Sequence, residues 1–481
     1  MLSLEILSEE QLHGLHVAAL DILEQVGVQF SLPEALKLFD DAGAEVDHKE
    51  KTVKIPYYLV EECIRKTPHR FTAHGRDPRY TFEVEPNNLH FGTVGFATRI
   101  VDPETEKFRP LLKTDLANLA RLADALENVD YFLTMGEPMD APMGVADRYQ
   151  WLLSLENIGK HIWCQSLDRE GAIDAIKMGS LICGGEKELA KAPIFTVVVC
   201  LPSPLKHDPG GTEALMEAAR AGVPMMVDSG PLSGANSPAT LAGTLVLNVA
   251  ELLSSVVLTR LVNPRSPMVL TTWARSLDMK TGNVVVGSPE FGLLHGCIAQ
   301  MGRFYDIPTG GGGVLSDSKI LDAQNGYEKM LTGILPALSG LNMVTGMGLT
   351  GSETIACFQQ LVIDNEIVGM IKRAKRGVDF SREALAVDLI KKVRFEGNFL
   401  KERHTLDHFQ TEHWIPSLSD RDTPDGWVRN GSPDLRKKAK ETAMQILKTH
   451  QPVLIPREIS AELRKVVDSA ERKHAERSIT Q

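Results

Sequence analysis

"IPTGGGGVLSDSKILDAQNGYEKM", residues 307–330, passes from an apolar strand-like start through four consecutive glycines into helical spacing. A short apolar run, a glycine-rich passage and a helix together make one β/α unit. The same punctuation recurs in "LHFGTVGF" (89–96), "YFLTMGEPMD" (131–140), "HIWCQSLD" (161–168) and "IFTVVVCLPSPL" (194–205). It recurs again in "PMMVDSGPLSGANSP" (224–238), "PMVLTTWARSLDMKTG" (267–282) and "NMVTGMGLTG" (342–351). With 307–317 there are eight such runs, each followed by a helical stretch. An open sheet rarely needs so many parallel units, so the pattern predicts an α/β fold, a (β/α)8 TIM-type barrel.

The flanks read differently. Residues 1–80 carry apolar spacing in "LHGLHVAALDILEQVGV", "PEALKLFDDAGAEV" and "IPYYLVEECIRKT", which predicts an N-terminal helical extension packed on a barrel of residues 81–390. Residues 391–481 predict C-terminal helices that wrap the barrel, with Trp414 and Trp427 as packing residues. The basic run Lys372, Arg373, Lys375, Arg376 reads as the solvated end of a helix.

Composition narrows the function. The 481 residues are 43% hydrophobic and carry a formal net charge of −11, which is not the electrostatic footprint of a nucleic-acid or anionic-membrane binder. Acidic residues stand near the N-terminus where a signal peptide needs a basic start, so a cytoplasmic protein is expected. Asn248, Glu251 and Arg260 interrupt the apolar stretch 240–262, which therefore reads as a core helix and not a membrane span. Six dispersed cysteines form no CxxC pair and read as buried thiols.

In a barrel of this kind, function gathers on the loops that follow the strands. The residues just past the strand runs nominate a substrate site of Phe96, Glu137, Trp163, Gln165, Asp228, Asn236, Trp273 and Arg275. Ser316 and Asp317 share that position, but also suit the N-cap of a helix starting near Ser318, as Asn236 and Ser237 suit one at Pro238. No histidine or cysteine cluster has metal-ligand spacing, and no GxSxG elbow or Walker loop is present, so no metal and no catalytic nucleophile are expected. Aromatics, carboxylates and one arginine suit an organic cation.

Several separated stretches carry a resemblance: "GRDPRYTF" (75–82), "RIVDPETEKFRPLLKTDLANLARLADALENVDY" (99–131), "SLDMKTGNVVVGSPE" (276–290), "GGGGVLSDSKILDAQNGYEKM" (310–330) and "LDHFQTEHWIPSLSDRDTPDGW" (406–427). Together they resemble the trimethylamine methyltransferase family of barrel enzymes. The resemblance implies methyl transfer from a methylated amine to the cob(I)alamin of a separate corrinoid protein, which becomes methylcobalamin. It also implies a pyrrolysine near "GGGGVLSD" in the trimethylamine enzymes, where this chain has Val314 and Leu315. A tertiary amine is a poor leaving group unless it is protonated or bound to an electrophile, whereas a quaternary ammonium is already activated. The chain is therefore expected to use glycine betaine or a related betaine, with no general acid. Proline betaine, carnitine and γ-butyrobetaine are alternatives, as is a barrel that binds betaine or corrinoid protein without turnover.

Two details complete the expectation. Gly310, Gly311, Gly312, Gly313, Val314 and Leu315 would form a loop whose missing side chains let a flat corrin ring approach, or else a turn rich in left-handed residues. Arg275 would either bridge to Asp278 or Asp228, or hold the betaine carboxylate with help from Gln165 and Asn236. The expected partners are a small quaternary amine, a corrinoid protein and further copies of the same chain.

Overall fold

The computed structural model describes residues 2–86, 88–395 and 397–480. Eight parallel strands close into one barrel in chain order. They are β1 (His90–Thr93), β2 (Tyr131–Leu133), β3 (His161–Gln165), β4 (Phe195–Leu201), β5 (Met225–Ser229), β6 (Met268–Thr272), β7 (Thr309–Gly312) and β8 (Met343–Met347). Each falls inside one of the eight runs read from the sequence. The ring closes where β8 pairs with β1 through a bulge between Thr345 and Met347, and β1 pairs with β2 at Gly92 and Tyr131. All five residues of β5, β6 and β8 are buried, as parallel strands covered on both faces must be.

Inward side chains stack in layers, and β3 shows how. His161 lies lowest, its Nε2 2.9 Å from Thr196 Oγ1, and Trp163 comes next, its ring 4.6 Å from that of Tyr131. Gln165 is uppermost. Below His161 the barrel is stoppered by a hairpin of Phe71–His74 and Thr81–Val84: the His74 carbonyl lies 2.9 Å from His161 Nδ1, and Phe82 meets its ring edge-on.

The apolar helix Leu241–Val262 is long and hydrophobic enough to cross a membrane by composition, yet it packs as a barrel helix with fifteen buried residues. Its polar interruptions have work to do. Glu251 accepts hydrogen bonds from Ser203 Oγ, Ser229 Oγ and the Leu205 amide, and Asn248 donates to the Ser229 carbonyl. The loops after β4 and β5 are thereby tied to the helix. Arg260, at the far end, donates to the carbonyls of Pro264 and Ser266.

Two flanking expectations need correction. Residues 1–80 are only partly helical: besides Glu9–Gln25, Pro33–Asp41 and Tyr57–Lys66 they supply Val28–Phe30, Glu45–Asp47 and Thr52–Lys54 to a four-stranded sheet completed by Lys206–His207. The short strands have too few residues to show a period. At the other end, Leu435–Thr449 and Arg457–Thr480 lie along the barrel helices. The described residues of 377–412 form a separate helical arm. The basic run does end a helix, Phe358–Arg376, but Arg373 and Arg376 donate to the carbonyls of Glu412 and Thr411 instead of simply facing water.

Candidate active site

At the C-terminal mouth, the strand ends converge on a small cavity of about 40 Å3. Its walls include Phe96 after β1, Glu137 after β2, Gln165 on β3, Cys200 on β4, Asp228 on β5 and Trp273 after β6. Five of the eight nominated side chains are therefore brought together. A larger groove, walled by Phe108, Lys319, Lys440 and Glu441, lies outside the barrel, where no strand ends converge.

One wall of the cavity is aromatic. Trp273 is 2% exposed, and the Phe96 ring stands perpendicular to it at 5.9 Å. Behind Trp273 lie Phe291 and His295, with ring centroids 3.9 Å apart, so the indole is held from the rear. Burial pushes the His295 imidazole down to about 4, which keeps it neutral and apolar in effect.

The adjoining wall, on the neighbouring strand β5, is acidic. Asp228 is 5% exposed, and its Oδ1 has no hydrogen-bond partner among the described residues. Burial pushes its carboxyl up to about 7; the Cys200 thiol and Arg275 oppose that rise, while Glu353 and Glu251 add to it. An unpartnered carboxylate oxygen in a buried wall is costly unless something comes to meet it.

Arg275 belongs to a small three-stranded sheet over the mouth, in which Arg275–Leu277 pairs with Leu232–Ser233 and Val284–Val285. Its partner is neither Asp278 nor Asp228. Nη1 donates to Glu353 Oε2 at 3.3 Å, and the Glu353 side chain is only 3% exposed. Burial pushes Glu353 up to about 7 despite the guanidinium beside it, and its Oε1 has no partner among the described residues. Glu353 sits on three consecutive left-handed residues, Gly351, Ser352 and Glu353 (φ 58°, 54° and 69°), a conformation two non-glycines adopt only at a cost. Ser352 Oγ donates to Asp317 Oδ1, and Asp317 also accepts from the amides of Val286 and Gly287, which fastens the hairpin.

Other nominated residues have different places. Trp163 is fully buried one layer beneath the cavity, against Tyr131, and does not line it. Asn236 is exposed and braces its own loop, accepting from the Leu232 amide and donating to the Ser203 carbonyl. Neither Ser316 with Asp317 nor Asn236 with Ser237 caps a helix. The caps are Asp322 for Ala323–Leu338 and Thr240 for Leu241–Val262.

The four glycines are not a loop. Gly310–Gly312 lie in β7, Gly313 follows, and all six residues of 310–315 are buried, so they offer no surface to an approaching ring. Among them only Val314 is left-handed, at φ 56°. What the glycines admit is neighbouring side chains: a Cβ would meet Thr271 Oγ1 (2.7 Å) at Gly310, Trp273 (2.8 Å) at Gly312 and Val344 (2.6 Å) at Gly313. Lys329, fully buried, donates to the Val314 carbonyl and to Asp364 at 2.9 Å, fixing the exit from β7.

Sequence reasoning missed Glu353, Cys200 and Met226. Glu353 lies two residues beyond the last strand run, in "GLTGSETIA", where a hairpin and not the strand end brings it back to the mouth.

Known proteins share this whole chain. It matches the trimethylamine methyltransferase (MTTB) family over residues 1–476. It is 36% identical over 464 residues to "Trimethylamine methyltransferase MttB" of Desulfitobacterium hafniense (strain DSM 10664 / DCB-2), covering 96% of this chain and 93% of that one. It is 32% identical over 460 residues to "Glycine betaine methyltransferase" of Desulfitobacterium hafniense (strain Y51), covering 95% of each. Among solved structures, the Methanosarcina barkeri monomethylamine methyltransferase shares the fold at a TM-score of 0.51 and 13% identity over 93% of each chain. The barrel, the mouth on its C-terminal face and the full-length match place this chain in the trimethylamine methyltransferase (MTTB) family of amine methyltransferases.

Proposed function

We propose that the protein demethylates a quaternary amine of the betaine type, glycine betaine first, by handing one methyl group to a corrinoid carried on a separate protein. The observation that supports this most is the unpartnered Asp228 Oδ1 in a cavity walled on another side by Trp273 and Phe96. An organic cation meets all three groups at once. Arg275 borders the same mouth with a side chain 28% exposed, and only one of its five N–H donors goes to Glu353, so a carboxylate can share the fork.

The corrinoid, held by its own protein, supplies the nucleophile that takes the methyl carbon. The rim suits a protein visitor better than a resident cofactor: Met139, Met143, Met279, Ile320 and Tyr327 stand exposed on the loops and helix start after β2, β6 and β7. This chain's part is to bind and aim. The C–N bond breaks with its electron pair remaining on nitrogen, so a quaternary ammonium leaves as a neutral tertiary amine and needs no proton. The positive charge fades in the transition state, so a strong negative cage would favour the ground state. Asp228, close to half-protonated near neutrality, gives attraction without a fixed full charge, and Arg275 holds the far end so that one methyl is presented outward.

Trimethylamine is a second reading, favoured by the names of the 36%-identical relatives. It differs at one substituent on nitrogen: a protonated tertiary amine has an N–H that Asp228 Oδ1 could accept. The test is to mix the protein with free cob(I)alamin and glycine betaine, proline betaine, carnitine, tetramethylammonium or trimethylamine, and follow cobalt methylation by absorbance. Turnover with a betaine and not with trimethylamine supports the proposal; trimethylamine alone overturns it.

A further inference from the structure

Among the described residues, Asp228 and Glu353 are the carboxylates that keep a buried oxygen without a hydrogen-bond partner. Asp228 meets the cation; Glu353, which is not part of the cavity wall, is left without a stated role. Neighbouring carboxylates are saturated. Asp317 accepts on both oxygens, from the Val286 and Gly287 amides and from Ser352 Oγ. Asp364 does the same, accepting from Lys329, the Gly348 amide and Gln360. Glu353 meets one guanidinium N–H of Arg275 through Oε2, and its Oε1 stays unmet.

A permanently held guanidinium looks different in this chain. Arg109 makes two bonds to the two oxygens of Asp115, at 2.6 and 2.9 Å. The single Arg275–Glu353 bond, at 3.3 Å, is long beside the roughly 2.7–2.9 Å usual for a charge-assisted contact. The backbone under Glu353 is nonetheless firm: the Gly351 amide donates to the Ser318 carbonyl at 2.7 Å and the Ser352 amide to the Ser316 carbonyl at 3.1 Å. The carboxyl can therefore change its charge without the hairpin moving.

The charged groups that act on Glu353 are Arg275 after β6, Asp317 after β7 and Lys329 on the helix Ala323–Leu338, with Asp228 on β5 also within electrostatic reach. Lys329 is committed to Asp364 and the Val314 carbonyl, so Arg275 is the cation that an arriving anion can claim. A second carboxylate on that guanidinium would sit beside Glu353, and like charges juxtaposed in a poorly solvated place repel. Burial already holds the Glu353 carboxyl up at about 7, with Arg275 pulling it down. Sharing that cation with a second anion weakens the pull, so Glu353 takes up a proton and stays in place as a neutral acid.

We propose, resting on the betaine reading of the site, that Glu353 is a displaceable counter-ion: it pairs Arg275 while the site is empty and yields the guanidinium to the substrate carboxylate by taking one proton from solvent. It acts through Arg275 as a positioning residue, and it is called on only by amines that carry a carboxylate. Steady-state kinetics of Glu353→Gln with free cob(I)alamin test it. Removing the competitor should lower the Michaelis constant for glycine betaine about five-fold, leave kcat within about two-fold, and leave both constants for tetramethylammonium within about two-fold. A fixed buttress for Arg275 would give the opposite sign, a raised constant for betaine. A second readout needs no variant: calorimetric titration of the wild type without cobalamin, at about pH 8 in buffers of different ionisation enthalpy. Glycine betaine should bind with uptake of roughly half a proton or more beyond tetramethylammonium, because the Asp228 response to a quaternary ammonium is common to both. Equal proton uptake for the two compounds, or a betaine constant unchanged or raised in Glu353→Gln while the wild type turns betaine over, would overturn the exchange and leave the substrate reading standing. A betaine that neither binds nor reacts would overturn both.

Discussion

Arg275 and Glu353 join the loop after β6 to the hairpin after β8 across the barrel mouth, through a 3.3 Å hydrogen bond to a carboxylate that has almost no other access to water. Glu353 thus holds one side of the guanidinium and leaves its other donors toward the mouth. Substituting Arg275 by Met should have two separable effects. Glu353 would be left buried without its cation, lowering stability by about 3 kcal/mol as an upper figure, since Arg275 itself is partly solvated. Betaine turnover should fall by the equivalent of about 2–5 kcal/mol, and turnover of tetramethylammonium, which has no carboxylate, by far less. Arg275→Met/Glu353→Gln should recover thermal stability without recovering betaine turnover. Equal kinetic losses on both compounds would assign Arg275 to the fold alone.

Asp228 makes the activity depend on pH in a defined direction. Without a cation its carboxyl is held up at about 7 by burial, and a bound quaternary ammonium favours the ionised form. The Michaelis constant should therefore fall as pH rises from about 6 to about 8 and then level off. Asp228→Asn should raise that constant and remove the pH dependence. The stability effect has the opposite sense: a folded-state pKa raised above the unfolded carboxylate value gives stability that is complete below about pH 4 and is lost as pH rises through about 7. The Asn variant should keep more of its acid-side melting temperature at pH 8 than the wild type does. A flat pH profile in the wild type would separate Asp228 from the substrate.

Trp273 and Trp163, both buried, should respond differently to the same substitution. Trp273→Leu removes a ring from the cavity wall and should weaken cation binding by roughly 0.5–2 kcal/mol, with Phe96→Leu, at a more exposed ring, near the lower end. Trp163→Leu hollows the layer beneath, against Tyr131, and should cost about 2–3 kcal/mol of stability while leaving the ratio of betaine to tetramethylammonium turnover unchanged. Denaturant unfolding alongside steady-state kinetics distinguishes the two. If Trp163→Leu shifts the ratio and Trp273→Leu does not, the cation lies deeper than the cavity between Asp228 and Trp273.

The barrel was legible because β/α alternation is written locally: each strand run carries its own apolar core and its own glycine, proline or serine stop, and all eight were found. Cavity residues were legible only in part: Phe96, Glu137, Gln165, Asp228 and Trp273 follow directly from strand ends, whereas Cys200 and Met226 lie within strands and carry no such signal. Depth was harder. Trp163 and Gln165 differ by two positions on one inward face, so the alternation of β3 already implied that one lies a layer below the other. The Arg275–Glu353 pair was not legible, because it depends on how far a hairpin folds back, a long-range matter with no local period. Nor was the arm, whose apolar spacing resembles that of a helix with a core to pack against.

The glycines of β7 tie the fold to the site. At Gly312 a methyl group would run into Phe291 and come within 2.8 Å of Trp273, while at Gly326, on the surface of the following helix, nothing lies within 4 Å. Gly312→Ala should therefore push the Trp273 indole toward the cavity, because Phe291 is backed by the His295 ring, 3.9 Å away, and cannot retreat. Overpacking of this kind costs about 1–3 kcal/mol. Part of the cost should appear as a lower melting temperature and part as a higher Michaelis constant for the betaine. Gly326→Ala, in a helix, should leave kinetics unchanged and raise stability by up to about 1 kcal/mol. The decisive comparison is Gly312→Ala with Trp273→Leu/Gly312→Ala. If the methyl acts by displacing the indole, removing the indole restores the melting temperature lost to the alanine and the two kinetic defects do not add. Additive kinetic losses would mean that Gly312 reaches the substrate by a route other than Trp273.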